Sequence, residues 1–346
     1  MDDREVAVSR PGIRQFTGPF VHAAMLCSST DGYLAAVADF AAEAAAAHAP
    51  LHVVVPRDRL SLIRQERYLP DHAVVTEMDD LGRNPARLIP AARSMAADHP
   101  DKRLYCLWEP AWPGRSDAEL REIARHETLC NLAFRGKPMT VMCLYDTDAL
   151  NDDAVGYAAY THPAIATAGQ KRAGQKRRNP AYLGAGRFPP GCDDPLPWPN
   201  DANGPNDGAN DGANDSANDS AAVHVMEIGE RLDAVRSFSA RHAYAAGLSA
   251  TQVTDLLIAI SELGANAHCH AGGGGVIRFW CTADELVCQV EDAGHITDPL
   301  AATHIQPIDA TRGYGLWLVN KVCDLVERRT GPGGTTTRLH MRRNHT

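Results

Sequence analysis

The chain has 346 residues, 44% of them hydrophobic and 22% charged, with a formal net charge of −9. That balance is typical of globular proteins, and the length is enough for two domains with separate cores. The negative charge argues against a nucleic-acid coat or a polybasic membrane anchor, because phosphate-rich surfaces repel such a molecule as a whole.

The opening MDDREVAVSRPGIRQF is acidic and polar where a signal peptide would be basic and then apolar. No apolar window reaches bilayer length, so neither membrane insertion nor secretion is expected and a cytoplasmic location is. Nine cysteines include no C-x-x-C pair, and several lie in apolar runs such as LYCLW and VMCLY. Buried free thiols fit this better than disulfides or zinc. The fifteen histidines show no H-E-x-x-H and no dense Cys/His grouping, so a metal held mainly by protein side chains is not expected.

From the N-terminus, apolar runs alternate with helical patterns. FVHAAMLC, PLHVVVP, HAVVTEM, KRLYCLWEP and KPMTVMCLYD read as strands. DGYLAAVADFAAEAAAAH, RDRLSLIRQERY, NPARLIPAARSMAADH and SDAELREIARHETLCNLAFRG read as the helices between them. Near-continuous apolar strands joined by helices predict a doubly wound parallel α/β sheet covered on both faces. Ligands of such sheets bind beyond the carboxyl ends of the strands. CSSTDGY, at the first of those ends, has no G-x-x-x-x-G-K-[ST], so nucleotide hydrolysis by the P-loop route is not supported there. Trp108, Glu109, Trp112 and Arg115 offer either a grip for a small ligand or simple packing of the sheet end.

From residue 164 to 222 the composition changes. The first half carries Lys171, Arg172, Lys176, Arg177, Arg178 and Arg187, and the second is a repeat of Gly-Ala-Asn-Asp type. Nothing there predicts a core, so a disordered linker is expected, its basic half solvated or touching a nucleic acid or an acidic partner. A long tether transmits poorly by rigid coupling, which leaves proximity or domain docking to carry a signal.

After the linker, MEIGERLDAVRSFSARHAYAAG and SATQVTDLLIAISELGANAHCHA read as helices. GVIRFWCTADELVCQVED reads as a hairpin, GLWLVNKVCDLVERR as a helix and TTTRLHM as a strand. Segregated helices and antiparallel strands predict an α+β two-layer sandwich. Ser249 is the expected N-cap of the second helix, with Leu256, Ile260, Leu263 and Ala267 on its core stripe. Glu262 and Asn266, at i and i+4, point at one small volume, and their oxygens suit Mg²⁺ with its water shell. Asp292, beside Gly294 at a strand end, makes a turn or accepts a hydrogen bond from an exocyclic amine. Gly313 and Gly315, after Arg312 and before a helix, make a tight turn or a phosphate cradle. Thr335 opens the last strand.

In this order, E-x-x-x-N, D-x-G, G-x-G and G-T resemble the N, G1 and G2 boxes and closing threonine of the Bergerat (GHKL) ATP-binding fold. Gyrase, histidine kinases and anti-sigma-factor serine/threonine kinases share that fold. The resemblance covers about residues 223–343 and is closest to the anti-sigma kinases. It implies ATP and Mg²⁺ as cofactors and assigns Glu262 as general base and Asn266 as Mg²⁺ ligand. Asp292, Gly294 and Thr335 would then hold adenine, and Arg312, Gly313 and Gly315 the phosphates. After DAG, His295 and Ile296 stand where further glycine is usual, so ATP binding is better supported than turnover. The implied partners are a sigma factor and a STAS-type anti-anti-sigma protein, with a homodimer also allowed. MDDLGRNPARLIP, WEPAWPGRS, RHETLCNLAFRG and CLYDTDAL, within residues 16–163, resemble the MEDS sensory domain. That likeness implies a RecA-like fold sensing a small molecule. The expected function is an ATP-dependent anti-sigma regulator. The alternatives are a non-catalytic sigma-sequestering module and a histidine kinase, the latter disfavoured because no dimerising two-helix segment with an exposed phosphoacceptor histidine precedes residue 223, and because His242, on the first helix of the domain, reads as structural or solvated.

Overall fold

The computed structural model describes residues 18–169, 172–173, 176–198, 222–270, 272, 274–303 and 314–343. In the N-terminal half, five strands form as expected: β1 (Phe20–Cys27), β2 (Leu51–Val55), β3 (Val74–Glu77), β4 (Leu104–Trp108) and β5 (Met139–Asp146). Every residue of LHVVV and LYCLW is buried, as strands covered on both faces require. A sixth strand, β6 (Ala164–Gly169), completes the parallel order β3-β2-β4-β5-β1-β6. The short β7 (Arg172–Ala173) and β8 (Arg177–Arg178) pair antiparallel with β6.

Helices α1 (Thr30–Ala46) and α2 (Arg57–Glu66) cover one face through Tyr33, Val37, Phe40, Leu60 and Ile63. The single turn α3 (Met78–Leu81) leads to α4 (Leu88–Asp98), α5 (Asp117–Ala133) and α6 (Asp152–Thr161). The last three cover the opposite face through Leu88, Ile89, Ile123, Phe134 and Ala158. Local signals fix these starts. Ser29 accepts a hydrogen bond from Gly32 N at 3.1 Å, and Ser116 and Glu119 close a capping box on α5.

The expected linker needs correction. Residues 164–169 belong to the sheet, and residues 179–198 run as a strap with Cys192 buried. Arginines anchor the strap by its carbonyls: Arg125 Nη1 donates to Cys192 O (3.0 Å), Arg329 Nε to Asp194 O (3.0 Å) and Arg338 Nη2 to Pro197 O (2.8 Å). A segment with few apolar side chains is thereby held by its backbone. The Gly-Ala-Asn-Asp repeat lies outside the described residues.

The C-terminal half is an antiparallel sheet of order β12-β13-β11-β10-β9. Its strands are β9 (His224–Ile228), β10 (Gly275–Cys281), β11 (Glu285–Asp292), β12 (Leu325–Gly331) and β13 (Gly334–Arg342). Helices α7 (Leu232–Ala245), α8 (Ala250–His270) and α9 (Gly315–Val322) share one core with it, built from Leu256, Ile260, Leu263 and Val319 against Ile277, Phe279, Cys288, Val290 and Leu339. Two helical readings are corrected. Met226–Ile228 and Leu325–Arg329 are strand, because each pairs with a neighbour in the sheet: β9 with β10, and β12 with β13. Among the described residues no helix is long and apolar enough to cross a membrane.

The face of this sheet opposite the helices carries charge. His340 Nδ1 lies 2.8 Å from Glu285 Oε2 and its Nε2 lies 3.1 Å from Glu327 Oε2. Burial opposes the imidazolium, but the two carboxylates outweigh it and lift the His340 pKa to about 9. A raised histidine stabilises the fold fully below its unfolded pKa of roughly 6.5 and loses that contribution as pH rises through the folded value. Urea unfolding should therefore show stability falling between pH 6.5 and 9, by at most about 3 kcal/mol. His340→Gln should flatten that slope. An equal slope in the variant would assign the effect elsewhere.

Candidate functional site

α8 starts where its cap predicts: Gln252 N donates to Ser249 Oγ (3.3 Å) and Ser249 N to Gln252 Oε1 (3.0 Å). Leu256, Ile260, Leu263 and Ala267 are all buried beneath it. Glu262 and Asn266 lie on the neighbouring stripe and are half-buried. α9 packs across α8 and brings Gly315 against the first of them. A Cβ at Gly315 would sit 2.6 Å from Glu262 Oε2, so a larger residue there would displace the carboxylate.

Asp292, Gly294 and Thr335 meet at one end of the sheet. Gly275, Asp292 and Thr335 stand side by side on β10, β11 and β13. Gly275 opens the strand that follows α8, so this row lies at the end of the sandwich where α8, with Asn266 in its last turns, terminates. Asp292 is two residues beyond Val290, which faces the helices, and so points to the same side. Asp292 Oδ1 accepts from Gly294 N (2.7 Å). Thr335 Oγ1 donates to Gly294 O (2.7 Å) and lies 2.8 Å from Thr330 Oγ1, and Ile296 N donates to Thr330 Oγ1 (2.9 Å). Gly334, with φ +123°, is obligatory here, because a Cβ would overlap the Asp292 carbonyl oxygen. Arg312 and Gly313 lie outside the described residues, so the phosphate side is represented by Gly315 alone.

Of the two expected routes for a signal, proximity and domain docking, contacts of the second kind are present. Asn84 Nδ2 (2.9 Å) and Arg87 Nε (3.1 Å) both donate to Asn320 O, and Arg87 Nη2 donates to Cys323 O (2.7 Å). These carbonyls end α9, where unpaired C=O groups attract cationic donors. Arg83 Nη1 lies 2.8 Å from Asp324 Oδ1, and Arg93 Nη1 donates to Thr303 O (3.0 Å). On α5, Glu122 and Glu119 pair with Arg329 (2.6 Å) and Arg342 (2.9 Å). Docking is thus direct, and the helix that carries Gly315 is held at its other end by the first domain.

Of the four residues at the β4 end, Trp108 is buried in the core. Arg115 stacks on Trp112 (3.6 Å to the ring centre) and donates to Arg83 O (3.0 Å) and Glu119 Oε1 (3.1 Å), so packing occupies both. Glu109 is different. It is buried, accepts from Tyr33 OH at 2.6 Å and lies 3.6 Å from Arg59, which also pairs with Asp146. Burial, resisted by Tyr33 and Arg59, lifts its pKa to about 7. His242 stacks against His224 (4.1 Å) and Phe279 (5.7 Å), which is packing and not the exposure a phosphoacceptor needs. All nine cysteines are free, seven of them buried.

The chain thus combines a parallel sheet covered on both faces with a two-layer α+β sandwich that brings Gly315 against Glu262 and Asp292 beside Thr335. Comparison with known families agrees. Residues 21–163 match the MEDS family (MEthanogen/methylotroph, DcmR Sensory domain), and residues 229–341 match the histidine kinase-like ATPase domain. The chain therefore joins a MEDS domain to a histidine kinase-like ATPase domain. Among solved structures it is similar to the RsbU and RsbW domains of Rv1364c from Mycobacterium tuberculosis, at 17% identity and a TM-score of 0.27. That match covers 68% of this chain and 52% of the other, so this chain spans about half the length of that relative. No curated protein matches the chain.

Proposed function

We propose that the chain is an ATP-binding anti-sigma regulatory factor whose MEDS domain senses a small molecule and biases the ATPase domain. In this reading ATP lies at the end of the sandwich shared by α8, α9 and the Gly275–Asp292–Thr335 row. Asn266 holds Mg²⁺, and Glu262 is the base that takes the proton of an incoming Ser/Thr hydroxyl. Asp292, with Gly294 and Thr335, receives the adenine amine, while Arg312, Gly313 and Gly315 line the phosphates. Mg²⁺ supplies charge neutralisation on the phosphates, and the side chains supply alignment. The partners are a sigma factor, sequestered, and a STAS-type anti-anti-sigma protein, phosphorylated.

The observation that carries the reading is the contact of Glu262 with Gly315, which places a carboxylate at the start of the helix behind a G-x-G. The docked α9 supplies the route for regulation. A signal that moves the 83–87 segment moves the helix opening at Gly315, so ligand in one domain and nucleotide in the other are coupled reciprocally. The test is incubation of the full chain with γ-labelled ATP, Mg²⁺ and candidate STAS-type proteins. Label on a partner Ser/Thr supports the kinase. Bound ATP with sigma-factor capture and no transfer supports the sequestering module, and no ATP binding overturns the proposal.

A further inference from the structure

In the N-terminal domain, four buried side chains from four elements converge: His22 of β1, Glu127 of α5, Cys143 of β5 and His162 just after α6. Their ligand-type atoms all lie within 4.8 Å of one another. His22 Nε2 is 2.7 Å and His162 Nε2 3.2 Å from Glu127 Oε2. Cys143 Sγ is 3.5 Å from the same oxygen and 3.6 Å from His22 Nε2. A tetrahedral ion with bonds of about 2.0–2.3 Å separates its ligands by about 3.3–3.7 Å; the two Cys143 contacts lie in that range, and the two shorter histidine–Glu127 contacts would open as an ion entered.

The surroundings fix which ring nitrogens carry protons. Asn131 Nδ2 faces two carbonyls, Glu127 O (3.1 Å) and Thr161 O (2.8 Å), so its Oδ1 must be the atom facing His22 Nδ1 at 3.1 Å. His22 Nδ1 is therefore a donor. His162 Nδ1 faces Ala158 O at 2.9 Å and is a donor as well. In the neutral tautomers both Nε2 atoms then present lone pairs to a carboxylate oxygen, and the Cys143 thiol, 3.5 Å from that oxygen, is the donor among the four side chains. These outward Nδ1 bonds are what orient histidines on a metal. Among the described residues, Glu127 Oε1 and His162 Nε2 are buried with no hydrogen-bond partner of good geometry.

We propose that His22, Glu127, Cys143 and His162 form a closed site for a divalent transition metal, Zn²⁺ being the ion that best fits two imidazoles, one thiolate and one carboxylate. Binding releases the Cys143 thiol proton to solvent. The ion's two positive charges are then balanced by thiolate and carboxylate, which makes a neutral centre where an ionised Glu127 alone would be a buried, unbalanced charge. All four ligands come from the protein, so the site has no open position and is structural or sensory. Glu127 lies five residues along α5 from Glu122, which pairs with Arg329 of the ATPase domain.

The test uses the full chain expressed in zinc-supplemented medium and freed of loosely held ions by brief chelation. Elemental analysis should find about one zinc per chain. Chain grown with Co²⁺ should show the near-ultraviolet thiolate-to-cobalt band and the intense visible bands of a tetrahedral site. Cys143→Ser should remove the thiolate band and lower zinc occupancy at least tenfold, whereas Cys269→Ser, at an exposed cysteine, should change neither. If Cys143→Ser fails to fold, Co²⁺ titration of folded wild-type chain freed of metal decides by itself. Wild-type chain that is folded, holds less than a tenth of an equivalent of zinc and shows no thiolate–cobalt band overturns the proposal. The four residues would then be a proton-sharing His–Glu–His group using the 2.7 Å contact.

Discussion

Asn266→Ala should reduce the affinity of the full chain for Mg·ATP at least about 100-fold, roughly 2.7 kcal/mol, while leaving its circular dichroism unchanged. The substitution keeps a good helix former on α8 and leaves the buried stripe Leu256, Ile260, Leu263 and Ala267 untouched. A stability change beyond about 0.5 kcal/mol is therefore not expected. What is lost is an amide oxygen one turn from Glu262, and Mg²⁺ accepts few substitutes because it demands near-octahedral oxygen ligands. Calorimetric titration of both proteins with Mg·ATP, and with ATP in chelator, separates metal from nucleotide. Glu262→Gln is the contrast. It should bind Mg·ATP almost normally and transfer no phosphate, since it keeps the shape and loses the base. Unchanged nucleotide affinity in Asn266→Ala would remove Asn266 from the site and with it the role given to the back third of the chain.

The parts of this architecture that were readable in the sequence are those whose signal is local. The apolar runs of β1, β2, β4 and β5, the stripe of α8 and the Ser249 cap depend on neighbours a few residues away. β9 and β12 escaped because MEI and LVERR suit a helix as well as a strand, and only pairing across the sheet decides. The strap at 179–198 escaped for a related reason. Its composition is rich in Pro and Gly, with Phe188 and Cys192 among its few core-facing side chains, and a set of arginines on α5, β12 and β13 holds its carbonyls. At the candidate site, the grouping of Asp292 with Thr335 was implied by the family resemblance, while the contact of Gly315 with Glu262 required the packing of α9 on α8. The cluster of His22, Glu127, Cys143 and His162 has no spacing signature at all. A doubly wound sheet brings together residues far apart in the chain, so the absence of a short Cys/His motif said nothing about it.

Arg329→Met should detach the two domains at the α5–β12 contact. Arg329 and Glu122 are both buried, 2.6 Å apart, and among the described residues Glu122 has only the more distant Arg125, at 3.7 Å, as a second ion-pair partner. Burial already pushes the Glu122 carboxyl upward, with Arg329 the main restraint. Removing one member of such a pair leaves an unbalanced buried charge and costs about 3–5 kcal/mol, more than a marginal domain contact can absorb. The expected results are a thermal transition that splits in two and faster amide exchange in α9, because the caps that Asn84 and Arg87 place on its last carbonyls loosen with the contact. The double variant Glu122→Leu, Arg329→Met removes both charges and should recover most of the lost stability, since an apolar pair of similar volume is often as stable as the buried ion pair. The cycle isolates the pair from the strap contact that Arg329 also makes through Asp194 O. If docking carries the regulation, Arg329→Met should also abolish any effect of MEDS ligands on ATP affinity while sparing ATP binding itself. Single and double variants with the same exchange in α9 as the wild type would show that the pair does not hold the domains together.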